Sequence, residues 1–207
     1  MPHRFPIQSR VLGRRLDMSH DVLIAILAAG ASRRLGQPKQ LVTVEGKPLL
    51  RRQCEVAIEA GIGPVAAILG CDAETCRAVI NDLQITVHLN ERWADGLGSS
   101  IACAARAAES ALLILHGDQF AISAADLRKL HEAWIKDRSK AVRSRSETYL
   151  GPPVIFQAST LVDLRQLMGD DGAKSIIAKL GSANVIDVNI PSAVDDLDTP
   201  EQLVGLR

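Results

Sequence analysis

The sequence predicts an α/β protein: a three-layer α/β/α sandwich around a mostly parallel sheet. Short continuous apolar runs such as Val22–Ala28 alternate with longer segments of helical periodicity, the pattern of strands buried on both faces and joined by crossover helices. Glycine, proline and serine or aspartate fall where the period changes, which marks the turns and caps. The chain also holds 27 alanines against six aromatic residues, 3% of the total. Its core must therefore be built from small aliphatic side chains, which suits helices lying close on a sheet.

The elements follow in order. Val22–Ala28 reads as a first buried strand, and a loop through Gly36, Pro38 and Gly46 comes after it. Pro48 opens a helix to about Ala60 that Gly61 and Gly63 stop. Residues 64–69 form a second strand and 72–83 a helix capped by Asp72. A short strand at 85–89 and a loop from Asn90 to Gly98 lead into an alanine-rich helix over 99–109, for which Ser99 and Ser100 are candidate N-caps. Ala111–His116 is the fourth strand, running into Gly117-Asp118, and Ser123 caps a helix to about Lys136. Further on, the pattern predicts a strand at 154–156, helices from Ala158 and across 173–180, a strand near 185–188 and a terminal helix after Pro200. Right-handed crossovers in such a sheet place ligands outside the carboxyl ends of the strands.

Charge and cysteine usage narrow the function. Lys+Arg and Asp+Glu both number 24, a formal charge of zero, which excludes a generally basic nucleic-acid binder. The four cysteines (54, 71, 76 and 103) form no CxxC pair and never meet the histidines at zinc spacing, so a reducing, cytoplasmic location is expected. Residues 1–20 carry four arginines against one aspartate and are expected to be a flexible extension before one domain over 21–207. Arg14-Arg15 ahead of an apolar run imitates an export signal, but Asp17, His20 and Asp21 interrupt the approach. That run is also far shorter than the ~20 residues that span a bilayer, and Met18 is a second candidate start.

The chemistry concentrates where the first strand ends. Residues 27–41 read LAAGASRRLGQPKQL, a strand entering a loop of small residues with three cations. Small side chains let backbone N–H groups approach an anion, and Arg33 and Lys39 can charge-pair with phosphate oxygens. It is not a Walker A loop, because Gly30 and Gly36 enclose five residues and Gln37 follows. A plain strand-to-helix turn with surface arginines is the ordinary alternative.

This stretch closely resembles the signature loop of the small nucleotidyltransferases, nearest to the molybdenum cofactor cytidylyltransferases and related to the guanylyltransferases of the same cofactor. Gly46-Lys47-Pro48-Leu49-Leu50 is similar to the family's second element, and residues 93–101 (WADGLGSSI) to its base-binding segment. Gly117-Asp118-Gln119 resembles the metal-binding strand end, residues 169–173 (GDDGA) the acceptor-side loop, and 196–201 (DLDTPE) the closing motif. Six motifs in family order make the match specific.

The resemblance implies a Rossmann-like sheet of the nucleotidyltransferase type and transfer of CMP from CTP to the phosphate of molybdopterin cofactor, releasing pyrophosphate. Mg²⁺, or Mn²⁺, would be held by Asp118 and Asp198, with Asp196 the lesser choice. An aspartate after a strand or before a helix is otherwise most often a turn or cap residue. Lys39 and Arg33 would be catalytic. Ala28, Ala29, Gly30, Ala31, Ser32 and Arg33 would line the nucleotide with Lys39, while Gly98 and Ser100 grip its nucleoside. The Ala-Ala-Gly form of the loop favours CTP over GTP, since a methyl at Ala29 would crowd a purine. The product would serve hydroxylase-type molybdenum enzymes, with no nucleic acid or membrane partner. A transferase acting on a sugar or other small-molecule phosphate, and a non-catalytic nucleotide-binding delivery protein, are the alternatives.

Departures from the family fall on the acceptor side. Phe120 replaces a proline, and His116 is unusual two residues before the aspartate; it reads as a neutral core group. In Gly151-Pro152-Pro153 the second residue stands where relatives carry histidine. Ser144, Arg145 and Ser146 could supply replacement phosphate contacts, although a solvated loop is the default. Charge is divided as well: residues 30–52 hold six Lys/Arg against one Glu, and 163–201 hold three against eight Asp/Glu, which suggests complementary halves of one site.

Overall fold

Apolar side chains at every position of β1 (Val22–Ala28) are required because both faces are covered. Val22, Ile24, Ile26 and Ala28 enter one core, and Ala25 and Leu27 the other. The computed structural model describes residues 22–32, 37–170 and 172–194. After β1 come a small hairpin of β2 (Thr43–Val44) and β3 (Lys47–Pro48), then α1 (Leu49–Ala60), β4 (Val65–Leu69), α2 (Ala73–Ala78) and β5 (Thr86–Leu89). The chain continues through α3 (Leu97–Ala107), β6 (Ala111–His116), α4 (Ala124–Lys136), β7 (Ala141–Arg145) and β8 (Leu150–Phe156). It closes with α5 (Leu161–Leu164), α6 (Lys174–Leu180) and β9 (Val185–Asn189).

Seven strands form one sheet in the order β5-β4-β1-β6-β8-β7-β9. Only β8 runs against its neighbours β6 and β7, so the sheet is mostly parallel, as the strand–helix alternation predicts. The first core takes Leu50, Cys54 and Ala57 of α1, Cys76 of α2, and Leu127, Leu130 and Trp134 of α4. The second takes Ile101, Ala104 and Ala105 of α3, Leu161 and Leu164 of α5, and Ile176 of α6. Two helical layers thus flank the sheet, and alanine on α3 brings that helix close to it. No helix among the described residues is long and apolar enough to cross a membrane.

Several expectations need correction. The helix expected over 72–83 is only α2: Asp72 precedes it at φ +54° without a side-chain capping bond, and beyond Ala78 the chain continues in tighter turns, Ile80 N–H bonding the Arg77 carbonyl and Leu83 N–H that of Ile80. The alanine-rich helix starts at Leu97 rather than Ser99, capped by the backbone of Gly96 at φ +104°. Ser99 and Ser100 are therefore inside its first turn, and their hydroxyls accept hydrogen bonds from the Asn90 side chain at 2.8 and 3.0 Å. Ser123 does cap α4, in a reciprocal box with Asp126. Strand β7 was not anticipated, and β8 begins four residues before the expected Val154, spanning both prolines. The terminal helix after Pro200 and the 1–20 extension lie outside the described residues.

Candidate active site

The loop after β1 is shaped from within by a buried glutamine. Gln40, 3% exposed, donates to the carbonyls of Ala28 and Gly30 at 3.1 and 2.8 Å. The Ser32 hydroxyl accepts the Lys39 backbone N–H at 3.0 Å, and Ser32 itself takes φ +51°. These bonds fold 28–32 back on the Lys39–Leu41 turn. Ala29 is buried, and its carbonyl accepts the Cys71 N–H at 3.0 Å. Its methyl lies against the end of β4: a Cβ at Gly70 would stand 2.9 Å from it and 2.5 Å from the Trp93 Cβ. Only glycine permits that approach.

At the neighbouring strand end, Asp118 follows β6 and forms an ion pair with the Lys39 side chain. The pair is partly buried, the side chains being 25% and 12% exposed, so its attraction is less screened than at an open surface. Gly117 donates to the Leu27 carbonyl at 3.0 Å, locking the ends of β1 and β6 together. The phosphate-loop cation and the metal-type carboxylate predicted from sequence thus meet at the carboxyl edge of the sheet.

Gln119, fully buried, organises what lies beside them. Its carboxamide accepts the His116 N–H at 3.3 Å and donates to the carbonyls of Pro152 and Ala193 at 2.7 and 2.9 Å. It thereby bridges β6 and β8 beyond the last paired residues of the ladder, Ile114 and Val154.

The turn that opens α3 and the loop at Met168 and Gly169 are in contact. Gly98 N–H donates to the Gly169 carbonyl at 2.9 Å. A Cβ at Gly98 would lie 2.7 Å from the Met168 carbonyl oxygen, and one at Gly96 2.4 Å from that of Gly169. Beneath this contact lies a cavity of about 490 Å³ whose walls include Leu97, Ile101, Ile114, Val154, Phe156 and Ile177. Its polar lining groups are His116, Arg143, Asp170 and Lys174. Arg143 is committed to Asp187 at 2.9 and 3.2 Å, while Asp170 and Lys174 lie exposed. Burial pushes the His116 imidazole below its ordinary pKa; Lys39 adds to that shift and Asp118 opposes it.

Of the residues predicted from sequence, Ala28, Ala29, Gly30, Ala31, Ser32, Lys39 and Asp118 gather around the ends of β1 and β6. Gly98 and Ser100 lie on α3, where Ser100 is 5% exposed. Arg33 and Asp198 lie outside the described residues. The basic block of 30–52 is not one cationic surface: Lys47 and Arg51 pair with Glu55, Arg51 also with Asp82, and Arg52 with Glu45. The Ser144 hydroxyl is buried and donates to the Pro153 carbonyl at 2.8 Å, so it holds β7 to β8. Gln40, Asn90 and Gly70 were missed. Gln40 lay inside the quoted loop, where a glutamine among small residues was the available signal.

Known proteins resemble this chain over most of its length. The MobA-like NTP transferase domain matches residues 24–185. Nicotine blue oxidoreductase of Paenarthrobacter nicotinovorans is 28% identical over 194 residues, covering 87% of this chain and 94% of that protein. Purine catabolism protein PucB of Bacillus subtilis is 28% identical over 201 residues, covering 87% and 93%. A probable molybdenum cofactor guanylyltransferase of Opitutus terrae is 28% identical over 120 residues, covering 58% and 54%. The crystal structure of Rv0371c from Mycobacterium tuberculosis superposes with a TM-score of 0.79 at 26% identity, covering 90% of this chain and 96% of that one.

Proposed function

The chain belongs to the MobA-like NTP transferase family, and from that premise we propose that it transfers CMP from CTP to the phosphate of molybdopterin cofactor, releasing pyrophosphate. The observation that carries the reading is the meeting of Lys39 with Asp118 where β1 and β6 end, a cation and a hard anionic donor set at one edge. Nucleotidyl transfer needs the acceptor phosphate placed in line with the α-phosphorus and the growing charge on the phosphate oxygens offset. In this reading Lys39 meets those oxygens, and backbone N–H groups of the small-residue loop after Ala28 receive them.

Asp118 fits a divalent ion. Mg²⁺ takes one or two carboxylates and completes its shell with water and substrate phosphates, and Asp198 is the second carboxylate proposed. When bound, the ion would neutralise charge on the triphosphate. The protein's own part is to hold Asp118 on a strand end that Gly117 and Gln119 fix in place.

The cavity under 169–173 supports a flat ring system as acceptor, since its walls are largely apolar with few polar groups. A sugar phosphate would call for more hydrogen-bonding side chains. CTP rests on Ala29, whose methyl fills the space next to Gly70 and Trp93, and handover to a hydroxylase-type molybdenum enzyme belongs to the same reading. Pyrophosphate release with CTP, GTP and ATP, with Mg²⁺ and with or without molybdenum cofactor, tests it. Cofactor-dependent release with CTP is expected. Release with none of the nucleotides would overturn the proposal, and CTP binding without turnover would favour a delivery protein.

A further inference from the structure

Strands β6 and β8 pair antiparallel with Leu112 opposite Phe156, Leu113 opposite Ile155 and Ile114 opposite Val154. Two more residues in that register set His116 opposite Pro152. Gln119 confirms the juxtaposition, because its single carboxamide takes the His116 N–H and donates to the Pro152 carbonyl. Both residues line the 490 Å³ cavity.

His116 differs from every other polar group on that lining. Arg143 is tied to Asp187, and Asp170 and Lys174 stand in solvent at the rim. The His116 side chain is half-buried, and no hydrogen-bond partner for its imidazole lies among the described residues. Its ring lines the cavity, and a ligand there would supply a partner. A neutral imidazole carries one N–H donor and one ring-nitrogen acceptor pointing in different directions, so one of them can meet a C=O or an N–H on the edge of a fused nitrogen heterocycle. Pro152, across the strand, offers only a ring face and a carbonyl already engaged by Gln119 and Tyr149.

We propose that His116 recognises the acceptor, its imidazole hydrogen-bonding the polar edge of a heterocyclic ring seated in the cavity opposite Pro152. This rests on the reading that the acceptor is a pterin-type phosphate. His116 is then a specificity residue for that substrate, separate from the nucleotide machinery of Lys39 and Asp118.

The test is fluorescence-detected binding of a pterin monophosphate in the presence of CTP. Wild type is compared with His116→Leu, His116→Gln and the double variant His116→Leu/Pro152→His, and CTP binding is measured by calorimetry in each. His116→Leu should weaken pterin binding about tenfold, the loss of one desolvated hydrogen bond. His116→Gln should retain most of it. The double variant should recover to within about threefold, because cross-strand Cβ atoms lie only about 5 Å apart. CTP affinity should hold throughout. Equal pterin binding by wild type and His116→Leu overturns the assignment, as does a loss of CTP binding in step with pterin binding. If His116→Leu fails to fold, His116→Gln and Pro152→His/His116→Gln give the same comparison, with weakened binding in both counting against the proposal. A wild type that binds CTP but no pterin overturns the proposed acceptor, and this assignment with it.

Discussion

Replacing Gly98 with alanine isolates the contact between the first turn of α3 and the loop at Met168 and Gly169. Gly98 is helical, within α3, where alanine ordinarily stabilises by about 0.5–1 kcal/mol. The new Cβ, however, would stand 2.7, 2.8 and 2.9 Å from the O, C and N atoms of Met168. These are backbone atoms that cannot rotate aside, and the adjacent Gly98 N–H to Gly169 bond of 2.9 Å leaves the loop no slack. Overpacking of this kind costs about 1–3 kcal/mol, so steric cost exceeds propensity by about 1–2 kcal/mol. For a chain of this size that lowers Tm by about 2–8 °C. Differential scanning fluorimetry reads it directly, with Gly172→Ala as control, since its Cβ would meet only Leu97 Cδ2 at an ordinary 3.5 Å. An unchanged or raised Tm for Gly98→Ala would refute the reasoning.

Other expectations concern the loop, the ion pair and the core. Gly30 has open space around its absent Cβ, so Gly30→Ala should leave Tm within about 1 °C, yet raise the CTP dissociation constant at least about tenfold where a phosphate must approach. Lys39→Ala and Asp118→Ala should each lower kcat by about 10²–10³-fold with unaltered circular dichroism; normal turnover would remove their assigned roles. Gln119→Leu strips bonds from the Pro152 and Ala193 carbonyls and should cost about 2–4 kcal/mol in urea unfolding. Cys54 and Cys76 are fully buried, with thiols pushed by desolvation up to about 12 and about 11. At pH 8 they should resist a disulfide-exchange reagent until the protein unfolds, while half-buried Cys71 and Cys103 react first.

Strands buried on both faces were legible because nothing but an apolar run can occupy them, and β1, β4 and β6 appeared at or near their predicted places. Strand β7, Ala-Val-Arg-Ser-Arg, was not, since its polar residues are satisfied by distant partners: Arg143 by Asp187 and Ser144 by Pro153. Its partner β8 contains two prolines, a composition that argues against a strand until Gln119 and Ser144 are seen to bond their carbonyls. Ser99 and Ser100 looked like caps because their identities fit one, whereas the Asn90 carboxamide claims both hydroxyls from across the sheet edge. Within the site, Lys39 and Asp118 were legible from motif and strand position. Gln40 was not, because burial of a glutamine is decided by the fold of the loop it supports.

What the structure asks of position 152 is a carbonyl oxygen. Gln119 and Tyr149 both bond that atom. A residue that lines a cavity yet is anchored through its main chain can change identity without disturbing the strand that carries it. The wall of the cavity can thus change at this point while the neighbouring ends of β1 and β6 stay fixed. That offers a physical route by which one scaffold varies the shape of this cavity without altering the strand ends beside it.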